Sequence, residues 1–198
     1  PYTAHMRARG SIHTKLAWAL LGAAVIGGLG YGAYWFDQSW PWHHFRTVEE
    51  GVFYRSSQLA EDEFVTCIED YGIKTVINLR SEIERSRGGD WYAGEKRAAA
   101  RTGIRHVDLP LPEGKPPTPE QVAQFLAVLD DPGNRPVLIH CEKGTIRSAA
   151  VEGLWRREYL GETGAEAYER VETWGRDLQA DYPGIAKFIR EYVSRSKP

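Results

Sequence analysis

An apolar run, Pro136-Val137-Leu138-Ile139, leads directly into His140-Cys141-Glu142-Lys143-Gly144-Thr145-Ile146-Arg147-Ser148, and a helical pattern follows from Ala149-Ala150-Val151 through Leu154-Trp155. A buried strand that turns through a tight loop into a helix must be covered by other elements, which points to a layered α/β fold. Cys141 stands at the strand's end and Arg147 in the helix's first turn, with five residues between them. The inward amides of such a loop, together with the helix N-terminus, make an anion site. The same field favours thiolate over thiol and makes Cys141 a nucleophile. Arg147 supplies a planar fork for two oxygens of a bound phosphate. Gly144 gives the turn its backbone freedom, and Glu142, Lys143, Thr145 and Ile146 complete the interior of the phosphate-binding loop. A thiolate beneath such a cradle is the apparatus of phosphoryl transfer through a cysteinyl-phosphate. The competing reading is a buried structural cysteine in a chance match.

The remaining sequence sets the frame. At 198 residues and 42% apolar content the chain can bury one good core, so one globular domain with an appendage is expected. A net charge of −2 gives no electrostatic case for nucleic acid. Two distant cysteines do not make a disulfide framework or a cysteine-rich zinc site, and no metal or other cofactor is called for. Pro1 to His5 look like a tag remnant, and residues 1–15 end as a basic tail carrying Arg7, Arg9 and Lys15. Residues 16–36 contain no charge and are long enough to cross a bilayer as one helix. The aromatics Tyr31, Tyr34, Trp35, Phe36, Trp40 and Trp42 would mark the far interface. A cleaved signal peptide is the rival, disfavoured because small residues give way to bulky aromatics. The basic residues before the span favour an N-terminus in the cytoplasm and the domain across the membrane, periplasmic in a bacterial cell; the alternative is the inverted orientation, which keeps a reactive cysteine in the reducing cytoplasm.

Residues 37–50 read as a juxtamembrane linker, with His43-His44 solvated, and the domain as residues 51–198. Within it, Gly51 to Arg55 reads as a first strand. Ser57 could cap a helix over residues 60–71 that stops at Gly72 and buries Cys67. A second strand covers Thr75 to Leu79, a loop Arg80 to Asp90, a helix Trp91 to Arg101, and a third strand Ile104 to Asp108. Prolines keep Leu109 to Pro117 irregular. Thr118-Pro119-Glu120-Gln121 has the form of a capping box with proline at the first helical position. Helices to about Tyr159, over Ala165 to Trp174, and over Pro183 to Ser194 complete the chain. The last of these is expected to bury Ile185, Phe188, Ile189, Tyr192 and Val193 on one face. Strands alternating with helices predict a mostly parallel central sheet flanked by helices.

His140, Cys141, Gly144, Arg147 and Ser148 together resemble the active-site loop of the cysteine-dependent protein tyrosine phosphatase superfamily. Tyr54-Arg55-Ser56 and Val76-Ile77-Asn78-Leu79-Arg80 are similar to segments of its compact, atypical dual-specificity branch in plants, fungi and bacteria. The likeness covers roughly Val48 to Trp174. It implies Cys141 as nucleophile, Arg147 as phosphate clamp, and a carboxylic acid on the loop after the third strand to protonate the leaving oxygen. Glu113 stands at that position where the branch carries Asp, and Asp108 is the second candidate. Ser148 resembles the hydroxyl that helps the cysteine leave, although it could be only a first-turn helix residue. His140 would orient the loop. Asn78 and Arg80 would brace it by the same resemblance, and a plain structural bond or ion pair explains them equally well. The substrate implied is a phosphoprotein or small phosphomonoester, because Lys143 is the one basic residue between Cys141 and Arg147. Inositol-pyrophosphate phosphatases of the same branch keep that alternative open. The other readings are a catalytically dead phosphate-binding module and a sulfur- or arsenate-handling enzyme.

Overall fold

The computed structural model describes residues 16, 18–28, 31, 44–87 and 89–195. Two compact units divide the chain, Pro1–Trp40 and Pro41–Pro198. In the first unit residues 18–28 are helical. Among the described residues no helix is long and apolar enough to cross a membrane, so the expected transmembrane helix over 16–36 is not supported. The rest of that expected span, except Leu16 and Tyr31, lies outside the described residues, as do the tail 1–15 and the linker through His43.

The second unit is built on five strands: β1 (Arg46–Glu49), β2 (Phe53–Ser56), β3 (Thr75–Asn78), β4 (Arg105–Asp108) and β5 (Val137–His140). Their order across the sheet is β1-β2-β5-β3-β4, with β1 antiparallel to β2 and all other pairs parallel. The predicted α/β domain with a mostly parallel sheet is therefore what forms. β5 lies at the centre, and Ser56 of β2 and Asn78 of β3 pair with His140 on either side. The sheet thus delivers Cys141 to the middle of its carboxyl edge, where open α/β sheets bind ligands.

Alternation along each strand supplies both faces. Phe53, Ile77, Val137 and Ile139 pack with α4 (Pro119–Leu129) and α5 (Ile146–Glu158). Tyr54, Val76 and Leu138 pack on the other side with α1 (Glu61–Tyr71) and α3 (Trp91–Thr102). Cys67 belongs to this second layer, where burial pushes its thiol up to about 12. Every residue of α5 is buried, its outer side being covered by α6 (Gly164–Arg170) and α8 (Pro183–Glu191).

Several boundaries move, each for a local reason. β1 occupies the end of the expected linker because Arg46 and Thr47 pair with Arg55 and Tyr54. Ser57 does not cap α1; Ala60 occupies that position, its amide donating to Glu63. The preceding stretch is drawn across the loop after β5 instead, with the Gln58 amide on the Glu142 carbonyl. The expected loop 80–90 contains α2 (Glu82–Arg87). Ser81 and Glu84 form its capping box, Ser81 N donating to Glu84 and Glu84 N to Ser81 Oγ. The predicted Thr118–Gln121 box on α4 is present. α6 stops at Arg170, short of Trp174, which sits in a turn at φ 48°. The short α7 (Leu178–Asp181) follows, and α8 leaves Val193 beyond its end, 75% exposed and not buried as predicted.

Candidate active site

β5 ends at His140, and the chain turns through Cys141 to Thr145 before α5 begins. The turn requires glycine at 144, where φ is +65° and a Cβ would fall 2.6 Å from the Ser57 amide nitrogen. The loop's carbonyls are held from outside. Gln58 N donates to Glu142 O at 3.1 Å, and Arg55 Nη2 donates to Gly144 O and Thr145 O at 2.6 and 3.1 Å. Peptide units are planar and trans, so an outward carbonyl turns the following N–H inward. The Gly144 N–H, which shares its peptide unit with Lys143 O, also points inward and donates to Cys141 Sγ at 3.2 Å.

Arg55 is fully buried, with its other nitrogen on Glu152 of α5. Glu152 also receives Arg156 Nε at 2.8 Å and Arg46 at 3.6 Å. One guanidinium from β2 thus ties the loop to the central helix. This role was not seen in the sequence beyond the likeness of Tyr54-Arg55-Ser56 to a family segment, because Arg55 and Glu152 lie 97 residues apart.

Cys141 is 3% exposed, with Ser148 Oγ 3.4 Å from its sulfur. Arg147 lies close by on the first turn of α5, its guanidinium held in a two-pronged pair by Glu84 of α2 at 2.6 and 2.9 Å. Burial alone would lower the Arg147 pKa; Glu84, with negative charge at Cys141 and Glu113, raises it instead. Burial would likewise raise Glu84, but the hydrogen bonds from Arg147 and Ser81 bring it to about 2. Nothing local in the sequence links Glu84 to Arg147, 63 residues away, although Ser81-x-x-Glu84 has the form of a capping box.

The two carboxylates considered as acids separate clearly. Glu113 lines the cleft with Cys141, Glu142, Lys143, Thr145, Ile146 and Arg147. Asp108 is engaged elsewhere: Tyr92 Oη donates at 2.6 Å, Asn78 Nδ2 at 2.9 Å, and Arg85 lies at 3.4 Å. Burial pushes Asp108 upward, but Tyr92, His106, Arg85 and Lys96 outweigh it and hold the carboxyl below its usual range. Asn78 therefore braces Asp108, and its own Oδ1 accepts from Arg80 N. The Arg80 guanidinium stacks 3.8 Å over Trp91 and pairs with Glu84. Its link to the loop runs through Glu84 to Arg147.

His140 is buried, and its Nε2 meets Glu95 of α3 at 2.9 Å. The same oxygen of Glu95 receives His106 Nε2 at 2.5 Å. Burial would raise the Glu95 carboxyl, yet His140 and His106 hold it well below the usual carboxylate range. Glu95 was not singled out in the sequence, where it reads as one charge on a polar helix.

A cysteine at the carboxyl edge of a mostly parallel sheet, met by a loop amide and sharing its cleft with an arginine, is the arrangement of the compact branch of the cysteine-dependent tyrosine phosphatase superfamily. The chain belongs to the family described as DSP-PTPase phosphatase fused to NAD+ kinase, the match covering residues 42–182. It is 29% identical over 148 residues to Probable NAD kinase 2, chloroplastic, of Oryza sativa subsp. japonica, covering 74% of this chain and 14% of the rice protein. The chain thus spans a minor part of that relative's length. It is 33% identical over 95 residues to Inositol diphosphatase DSP5 of Arabidopsis thaliana, covering 46% of each. In fold it is similar to the catalytic domain of the PP-IP phosphatase SIW14 of S. cerevisiae, with TM-score 0.59, 20% identity, and 78% of this chain and 87% of that one covered. P. aeruginosa TpbA aligns with TM-score 0.55 and 19% identity, over 77% and 91% of the two chains.

Proposed function

We propose that this domain hydrolyses phosphomonoesters through a phosphorylated Cys141, acting on phosphotyrosine or dual-specificity phosphoprotein substrates. The observation that supports this most directly is the sulfur itself, which accepts from the Gly144 amide at 3.2 Å and lies 3.4 Å from the Ser148 hydroxyl in a cleft that Arg147 also lines. The thiolate attacks phosphorus while Arg147 and the inward amides hold the other oxygens. The S–P bond forms as the P–O bond to the leaving group breaks, and Glu113 gives that oxygen its proton. Glu113 then takes a proton from water, which attacks the cysteinyl-phosphate. Phosphate departs, and Ser148 stabilises the returning thiolate. Acidic residues around the cleft, Glu113 and Glu142, weigh against a densely phosphorylated ring, and Lys143 is the one basic residue between Cys141 and Arg147.

Likeness to Inositol diphosphatase DSP5 supports a second reading, hydrolysis of inositol pyrophosphates. A panel of phosphopeptides, inositol pyrophosphates and NADP+ (the product of an NAD+ kinase) separates these readings. Turnover of phosphopeptides well above the others is expected, and exclusive turnover of a pyrophosphate would replace the first reading with the second. A dead phosphate-binding module would hydrolyse none of them.

The acid assignment has its own test. Glu113→Gln should reduce kcat for phosphotyrosine by about a hundredfold and far less for an aryl phosphate with a good leaving group. Asp108→Asn should lack that leaving-group dependence, since Asp108 is bound to Tyr92 and Asn78. The opposite pattern would make Asp108 the acid.

Membrane attachment through residues 16–36, with the domain exported, is carried by the sequence alone. In a bacterial host, alkaline phosphatase fused after Pro198 should be active and a fluorescent protein that matures only in the cytoplasm dark. The reverse result would invert the orientation.

A further inference from the structure

The geometry points to His44, which precedes the first strand, as a positioning residue for the catalytic loop. The inference rests on Cys141 being the nucleophile. Of the four successive carbonyls from Glu142 to Thr145, three are held by Gln58 and Arg55. The remaining one, Lys143 O, meets His44 Nδ1 at 2.5 Å. A carbonyl can only accept, so Nδ1 carries the proton. The peptide unit that contains Lys143 O also contains the Gly144 N–H, which donates to Cys141 Sγ at 3.2 Å. Planarity makes the two ends of that unit point in opposite directions. His44 therefore grips from outside the amide that touches the sulfur from inside. A donor on the oxygen also polarises the unit and strengthens its N–H as a donor.

The imidazole is itself placed. It lies 4.4 Å from the Trp174 ring, which the Arg55 guanidinium approaches at 4.8 Å. Arg46, two residues on, donates to Arg170 O at 2.9 Å and pairs with Glu152 and Glu172. The chain entering the domain is thus strapped across the back of the loop, and the expected solvated His44 is a correction. His44 has φ +53°, a region that asparagine tolerates far better than most residues.

That tolerance provides the discriminating experiment on the full chain. His44→Asn places a side-chain donor near the position of Nδ1 but removes the ring. His44→Phe keeps the ring against Trp174 but removes the donor. The readouts are the midpoint of the Cys141 alkylation-rate pH profile and the affinity for inorganic phosphate as inhibitor. The Phe variant should raise the midpoint by roughly half a unit and weaken phosphate about fivefold. The Asn variant should stay near wild type in both. If His44 merely packs against Trp174, the order reverses, and that result, or equal behaviour of the two variants, overturns the inference.

Nitrogen-15 NMR of the wild type provides a reading that needs no variant to fold. The His44 ring should carry its proton on Nδ1 above neutral pH, and a ring protonated there only on Nε2 contradicts the contact. A wild-type Cys141 that phosphate does not protect from alkylation would instead refute the nucleophile reading, which keeps the two failures distinct.

Discussion

Cys141→Ser is expected to abolish turnover, by at least about a thousandfold, while leaving the fold and phosphate binding in place. The substitution is nearly isosteric at a position only 3% exposed, and it disturbs neither β5 nor α5. The Gly144 amide and Ser148 hydroxyl that face the sulfur can face a hydroxyl oxygen as well. Arg147 and the outer anchors at Gln58 and Arg55 are untouched, so the cradle persists. What disappears is the thiol nucleophile, because a serine hydroxyl gives up its proton far less readily than a thiol. Calorimetric titration with inorganic phosphate should therefore give nearly the wild-type affinity alongside absent turnover. A variant that loses both would mean that the sulfur is needed for the loop's shape, and one that keeps turnover would remove Cys141 from the chemistry.

The second large effect is expected at Arg55→Lys. Arg55 uses one end of its fork for Glu152 and the other for Gly144 O and Thr145 O. An ammonium is a single point of charge and cannot span those partners. Lysine should still satisfy Glu152, which Arg156 and Arg46 also compensate, so the buried carboxylate is not orphaned and the fold survives with a lowered Tm. Two peptide units of the loop then lose their outer anchor, and their N–H groups no longer aim reliably at a phosphate. Preorganised amides of this kind are worth large factors, so kcat/KM should drop about a hundredfold, with phosphate affinity falling in parallel. An unchanged kcat/KM in a folded Arg55→Lys protein would show that the loop keeps its shape without this tie.

The contrast between these two residues shows what the sequence could disclose. Cys141, Gly144, Arg147 and Ser148 lie in one continuous stretch, and the chemistry of that stretch follows from a strand end, a tight turn and a helix start. The sheet was legible for the same reason, since short apolar runs bounded by glycine and proline mark buried strands. Arg55, Glu84 and Glu95 act on the loop from 97, 63 and 45 residues away from their partners Glu152, Arg147 and His140. In the sequence Glu84 and Glu95 are ordinary charges on polar segments and Arg55 is one charge at the end of a short strand, and only the tertiary fold gives each its partner. Asn78 and Asp108 show how an open choice is narrowed. Asn78 reads equally as a brace for the loop and as a structural bond, and Asp108 stands second to Glu113; β3 and β4 pair in register and bring the two side chains together at 2.9 Å. Local signals were available for α2, through Ser81 and Glu84. None existed for His44, whose role depends on where residue 143 comes to lie.

The central claim is a covalent phosphoryl group on Cys141, and it can be observed directly. An aryl phosphate with a good leaving group makes breakdown of the intermediate the slow step. Rapid acid quenching during turnover, followed by mass analysis of peptides, should find a phosphoryl group on the Cys141 peptide early in the reaction. It should be absent from the Cys141→Ser protein. Steady turnover with an unmodified Cys141 peptide, together with turnover by Cys141→Ser, would contradict the account.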